Sequence, residues 1–257
     1  MNKKALLAVP TIAMGMLAFG GAPALADDHA ASYSSTLGQL NGTTGSGSIT
    51  MDVQGNQATV NLTVNGLAET FMDGPYPHVQ HIHGGAQGVC PTPENDENGD
   101  GIVSVSEGAG GYGGIVTTLS TSGDTSPAAG LDLTLGGQGG SYTVSRTFEV
   151  NADTKAALEA GTAVVVVHGL DPATAGVSEE VFNSPSDLNP DLPLGATSPA
   201  LCGTLMASQM GAMPQGGADT GVEQQTGSNL GMIALGGGLV LAAAAGGTYA
   251  VRRATSK

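Results

Sequence analysis

Four of the five histidines fall in two short stretches, His78-Val79-Gln80-His81-Ile82-His83-Gly84-Gly85 and Ala163-Val164-Val165-Val166-Val167-His168-Gly169. In a β-strand, residues i and i+2 project from the same face. His81 and His83 therefore stand side by side, within reach of one metal ion. His78 has the opposite parity and faces away unless the strand begins after it. His168 ends a strongly apolar run, where an unpartnered imidazole is costly to bury. Imidazole nitrogen suits copper or zinc. The plainer alternative is that these rings only hydrogen-bond to nearby backbone, and the residues alone leave both open. The fifth histidine, His29, lies close to the start of the chain, away from the others.

A second constellation is Asp96-Glu97-Asn98-Gly99-Asp100-Gly101-Ile102-Val103-Ser104-Val105-Ser106-Glu107. It matches D-x-[DN]-x-[DN]-G-x5-E at every fixed position. Asp96, Asn98 and Asp100 take loop positions 1, 3 and 5, and Gly101 allows the sharp turn. Ile102 offers its carbonyl, Ser104 acts through water, and Glu107 closes the set as a bidentate ligand. Such oxygen donors suit calcium. Cys90-Pro91-Thr92-Pro93 precedes the loop and Gly108-Ala109-Gly110-Gly111 follows, so no full helix is predicted on either flank. The expectation is a calcium loop standing alone and staking down a long β-connection, with a solvated acidic turn as the alternative.

The ends of the chain bear on where this chemistry takes place. Lys3 and Lys4, the apolar stretch from Ala5 to Phe19 and Ala24-Leu25-Ala26 read as a signal peptide over residues 1–26. Residues 230–251 carry no charge, are long enough to span a bilayer, and are followed by a basic tail over 252–257. The expected order is signal peptide, ectodomain (27–206), flexible stalk (207–229), transmembrane helix and cytoplasmic tail. The ectodomain would then be extracellular on a single-pass anchor. Gly217-Ala218-Asp219-Thr220-Gly221 resembles a sortase signal, so sortase cleavage after Thr220 and linkage to a cell wall is a variant of this layout.

Five of the seven basic residues lie in the two ends, leaving Arg146 and Lys155 against all 22 acidic residues, or 2 − 22 = −20. A surface of that sign repels nucleic acid and other anions and suits cations. In an exported chain, Cys90 and Cys202 pair by default, with two thiolate metal ligands as the alternative. Neither G-x-S-x-G nor H-E-x-x-H occurs, which disfavours a hydrolase.

The elements that must position these residues read as β. Ser48 to Gln54 and Gln57 to Val64 alternate apolar with polar around a Gly55-Asn56 hairpin signal. Further strands are predicted at Tyr33–Gln39, Val79–His83, Ile115–Leu119, Tyr142–Val150, Thr162–His168 and Cys202–Met206, with one helix over Ala152–Ala160. Short strands joined by Gly-rich turns predict an all-β, Greek-key sandwich or barrel.

Val64-Asn65-Gly66-Leu67 followed by His81-Ile82-His83-Gly84 resembles the "v-x-GL … HIHG" pattern of the chordin-type (CHRD) domain family, and the likeness covers roughly Tyr33 to Leu205. That family is in turn similar to the copper/zinc superoxide dismutase sandwich. The dismutase carries H-x-H on one strand, then a Cys, a later V-V-H strand and a terminal C-G strand whose Cys pairs with the first. Here these are His81 and His83, Cys90, Val166-Val167-His168 and Cys202-Gly203. The resemblance implies an immunoglobulin-like or dismutase-like sandwich, a Cys90–Cys202 disulfide and a copper-like trio of His81, His83 and His168.

The departures are equally specific. No histidine lies between His83 and His168, so the bridging and zinc-ligand histidines have no counterpart, and Thr197 to Cys202 contains no arginine. A field near −20 would also slow an anionic substrate. Fast dismutation is not expected. The expected protein is a surface-tethered CHRD-type domain that binds copper or zinc at its histidines and calcium in its acidic loop. Its role would be metal handling or slow redox protection. The rival is a structural or adhesive module meeting an extracellular partner that the sequence does not identify.

Overall fold

Alternation in the sequence becomes alternation of burial. In this computed structural model, which describes residues 30–208, Ile49, Met51 and Val53 point inward from strand β2 (Ser46–Gln54). Ala58, Val60, Leu62 and Val64 do the same from β3 (Gln57–Asn65). Gln54 pairs with Gln57 across the two-residue turn, whose first residue, Gly55, has φ 60°. A positive φ there matches the right-handed twist of the flanking strands and is unstrained only in glycine. The expected signal peptide, transmembrane helix, basic tail and Thr220 lie outside the described residues. Among the described residues no helix is long and apolar enough to cross a membrane.

The other long strands are β1 (Ala31–Gln39), β7 (Gln80–Gly84), β8 (Gly114–Thr118), β10 (Tyr142–Glu149), β11 (Val164–His168) and β12 (Pro199–Thr204). Two-residue strands fill the gaps: β4 (Thr70–Phe71) with β5 (Gly74–Pro75), β6 (Pro77–His78) with β9 (Gly137–Gln138), and β13 (Met206–Ala207) on β1. The main sheet runs β10-β3-β2-β1-β12-β11-β7-β8, antiparallel throughout. The expected last strand begins three residues early, at Pro199, where a missing N–H is tolerated at a strand start. β13 carries the pairing to Ala207, one residue into the stretch expected to be stalk.

The sheet curls on itself. β1 pairs with β12 through only Gly38↔Cys202 and Gln39↔Leu201, and the two halves fold over a common core there. Met51, Leu62 and Val144 from one half meet Ile82, Val165 and Leu201 from the other. Each such side chain stabilises the fold by about 1.5–3 kcal/mol relative to exposure. This architecture is consistent with the expected all-β sandwich. Its two edges, β10 and β8, are latched by side chains. Arg146 of β10 donates to the Ser120 carbonyl (2.9 Å) and the Gly123 carbonyl (2.9 Å), both just beyond β8. Arg146→Met keeps the aliphatic stem and removes both charged donors. Stability to urea should fall by about 2–4 kcal/mol; an unchanged midpoint would show that the latch contributes nothing.

Among the described residues four α-helices complete the fold: α1 (Val105–Tyr112), α2 (Ala152–Glu159), α3 (Glu179–Phe182) and α4 (Leu194–Thr197). The predicted helix after Asn151 forms, with the Asn151 side chain accepting from the Thr154 N–H at 2.8 Å. The expectation is that no full helix follows the loop; α1 nevertheless runs for 8 residues through Gly108 to Gly111. The helix begins with a capping box: Glu107 accepts from the Ser104 N–H at 2.8 Å, and the Ser104 hydroxyl accepts in return from the Glu107 N–H. Its glycines then let it pack. A Cβ on Gly108 would lie 2.5 Å from the Tyr112 ring, and one on Gly111 would lie 2.8 Å from the Val89 carbonyl. Tertiary contact outweighs the helix propensity lost at each glycine, about 1 kcal/mol.

Candidate metal centre

Antiparallel pairing brings the histidines together. β7 lies beside β11 with His81 opposite Val166 and His83 opposite Val164. Ile82, Val165 and Val167 point into the main core. By alternation His81, His83, Val164, Val166 and His168 share the opposite face. Tyr112 from α1 and the Cys90–Cys202 pair cover the valines on that face.

The three rings are 2–3% exposed, with centroids 5.6 Å (His81–His83), 5.1 Å (His81–His168) and 6.0 Å (His83–His168) apart. Each has one nitrogen against a backbone carbonyl. His81 Nε2 donates to Gly130 O (2.8 Å), His83 Nδ1 to Gly113 O (2.9 Å) and His168 Nδ1 to Thr197 O (2.7 Å). A carbonyl only accepts, so each contact places the proton and leaves a lone pair on the other nitrogen. Those atoms are His81 Nδ1, His83 Nε2 and His168 Nε2. Among the described residues, six buried side-chain polar atoms lack a partner, and these are three of them.

One ligand atom from each histidine lies within 4.8 Å of the other two, and no other group of His, Cys, Asp or Glu among the described residues gathers in this way. Zinc–nitrogen bonds of about 2.0–2.1 Å put tetrahedral ligands about 3.4 Å apart. Closing the trio by about 1.4 Å or less would reach that spacing. Burial holds the rings neutral, which is their ligating form. His83 is pushed down to about 4 and His168 to about 3, desolvation being the main cause and the neighbouring histidine the second for His168. His81 lies well below the usual range, again chiefly through burial. The donor set fits a borderline metal such as copper or zinc.

The carbonyl partners were not among the residues singled out from the sequence, since every residue has a carbonyl. In the structure they have a recognisable cause. Gly113 terminates α1 at φ 87°, and a Cβ there would lie 2.0 Å from the Gly84 carbonyl. Only glycine lets this carbonyl approach His83.

His78 is not part of the trio. It sits on β6, wholly buried, stacked on Tyr76 at 4.5 Å. Its Nδ1 lies 2.9 Å from the His168 carbonyl and its Nε2 lies 2.9 Å from the Ala68 carbonyl. Burial lowers its proton affinity, while the two carbonyls and Glu69 oppose that shift. Both of its nitrogens face backbone carbonyls away from the trio, and the ring packs against the backbone of His168.

The acidic loop is wrapped around its own carboxylates. Asp96 accepts from the N–H groups of Gly99, Asp100 and Gly101, Asp100 accepts from Ile102, and Glu107 accepts from Glu97, Asn98 and Ser104. The Asn98 side chain accepts from the Asp100 N–H and donates to the Asp100 carboxylate. Ile102 is fully buried in a second apolar cluster. Asn41 ties the loop to the end of β1, with its amide bonding both the N–H and the carbonyl of Val103.

Cys90 and Cys202 form the expected disulfide, with Cα atoms 5.8 Å apart and a sequence separation of 112. This joins the start of the acidic-loop segment to β12, the strand beside β11. A Cys90→Ser/Cys202→Ser variant should lose about 4–5 kcal/mol in the chain-entropy account. Denaturant midpoints check this, and a loss under 1 kcal/mol would mean that the unfolded chain is already constrained. No family model and no curated protein matches the chain.

Proposed function

We propose that this protein is a metal-binding β-sandwich domain holding copper or zinc through His81 Nδ1, His83 Nε2 and His168 Nε2. The observation that carries this is the gathering of three buried histidines with ligand atoms within 4.8 Å of one another, each ring keeping one unpartnered nitrogen and held by a carbonyl on its other side. Three neutral ligands leave a further position open, the pattern of a reactive or exchanging site rather than a closed structural one. The Cys90–Cys202 bridge and the shared face of His81, His83 and His168 support the CHRD-type, dismutase-like Greek-key assignment. The departures named above direct the role toward metal handling or slow redox protection rather than fast dismutation. The apolar segment 230–251 and the basic tail support anchoring at a membrane, with Thr220 as a candidate sortase site.

Elemental mass spectrometry on protein loaded with copper and zinc and then dialysed tests the reading. About one ion per chain is expected, absent from a His81→Ala/His83→Ala/His168→Ala variant. No histidine-dependent metal on a folded domain would instead favour a structural or adhesive module. Calcium in the acidic loop is a separate part of the proposal. Titration calorimetry should show calcium heat for the wild type and none for Asp100→Ala; no heat in either would remove the site.

A further inference from the structure

A pocket of about 510 Å³ opens beside the histidine trio, with His81 and His168 among its lining residues. Its size falls in the range of small-molecule sites. Val79, Ile115 and Leu192 contribute apolar wall, while Leu131, Leu133 and Leu188 are 44, 36 and 42% exposed. Among the described residues six large apolar side chains are exposed, and these three are half of them. Apolar side chains gathered around one opening, rather than scattered, mark a binding surface.

The lining includes no Asp, Glu, Lys or Arg. A charged ligand would lose its hydration there without a counter-ion. An anion is disfavoured further by Asp187, whose carboxylate beside Leu188 is held ionised by the Ser106 N–H and hydroxyl. His81 and His168, each with one nitrogen that lacks a partner, line the pocket together with Ser106 and Thr197 and supply the second requirement, a polar anchor on a largely apolar site.

We propose that this pocket binds a small, uncharged, largely apolar organic molecule that places a single donor atom on the metal's open position. The donor-atom half rests on the metal reading above; the apolar half does not. Gly114 offers a way to test the pocket without disturbing its walls. It lines the pocket, its φ is outside the left-handed region, and a Cβ added there meets nothing within 4 Å. Gly114→Leu should fill the space while leaving the fold intact.

The test uses the full chain in two arms. In the metal-free arm, N-phenyl-1-naphthylamine, an uncharged apolar dye, is titrated and its fluorescence followed. One saturable site is expected, weakened about tenfold or more by Gly114→Leu, since excluding even part of a ring forfeits over 1.4 kcal/mol. In the copper-loaded arm, the visible spectrum is titrated with imidazole and with 4-phenylimidazole at pH 7.5. The phenyl derivative should bind at least about tenfold tighter, and Gly114→Leu should erase that preference. If Gly114→Leu fails to fold, Leu131→Asp/Leu188→Asp replaces it with the same expected losses. Metal uptake with no dye site and equal affinity for the two imidazoles would overturn the pocket and leave the metal reading standing. A dye site without metal uptake would overturn the metal reading and the donor-atom half of this proposal.

Discussion

Zinc at about 1,000 times its dissociation constant should raise the thermal midpoint of this protein by about 8–16 °C, and His83→Ala should abolish the rise. The magnitude follows from linkage. Ligand at that excess adds about 4.1 kcal/mol to the folded state, and a domain of this size gains about 2–4 °C per kcal/mol. His83 is the informative position because its Nε2 is one of the three orphaned nitrogens and its Nδ1 is already committed to Gly113. The metal-free variant will itself melt lower, since Gly113 loses its donor and a cavity opens. The quantity to compare is therefore the shift with zinc minus that without, within each protein. An equal shift in both would place zinc elsewhere.

Acid should begin to unfold the metal-free protein above the pH at which carboxylates protonate. His83 and His168 are held at about 4 and about 3 in the folded state, against an ordinary value of 6.5. A depressed histidine favours the neutral ring in the fold, so below pH 6.5 the unfolded chain takes up protons that the folded chain refuses. Stability therefore falls as pH falls, by about 1.4 kcal/mol per pH unit per group. Two such groups remove about 5 kcal/mol between pH 6.5 and 4.5, and His81 adds in the same direction. Domains of this kind have about 5–15 kcal/mol in all. A cooperative loss of far-UV circular dichroism between about pH 6 and 4 is expected; with no tryptophan in the chain, intrinsic fluorescence is a weak probe. Acid also relieves self-repulsion in so acidic a protein. The histidine part is thus read as the difference between wild type and a His83→Gln/His168→Gln variant, whose transition should be shallower. Superimposable curves would mean that the rings protonate without unfolding the domain.

The strands were legible because burial on one face imposes a period of two, and Ile49-x-Met51-x-Val53 carries it openly. β7 shows no apolar–polar alternation, yet its H-x-H spacing carried the same geometry, since both faces of that strand are buried. The meeting of His168 with His81 and His83 could not be read from spacing within either segment. It depends on β11 pairing with β7, far away in sequence, and entered only through a family resemblance. α1 was missed because propensity counts glycine against a helix, whereas Gly108 and Gly111 are what admit Tyr112 and Val89. The pocket was invisible for a related reason: Leu131 and Leu188 lie in a turn and a bend and Leu133 in a single 3-10 turn, too short for a period to be read.

The strand order has a consequence for how the chain reaches this state. β12, among the last strands in sequence, lies between β1, the first, and β11. The two halves of the sheet cannot be joined by strand pairing until residue 199 and beyond are available. Contacts spanning most of the chain mean high contact order, and loop-closure entropy must be met before those contacts form, so the domain should fold slowly, over milliseconds to seconds. A chain halted before β12 would hold all three histidines but neither the strand that seats β11 against β1 nor the Cys202 partner of Cys90. Completion of the centre is therefore coupled to the emergence of β12.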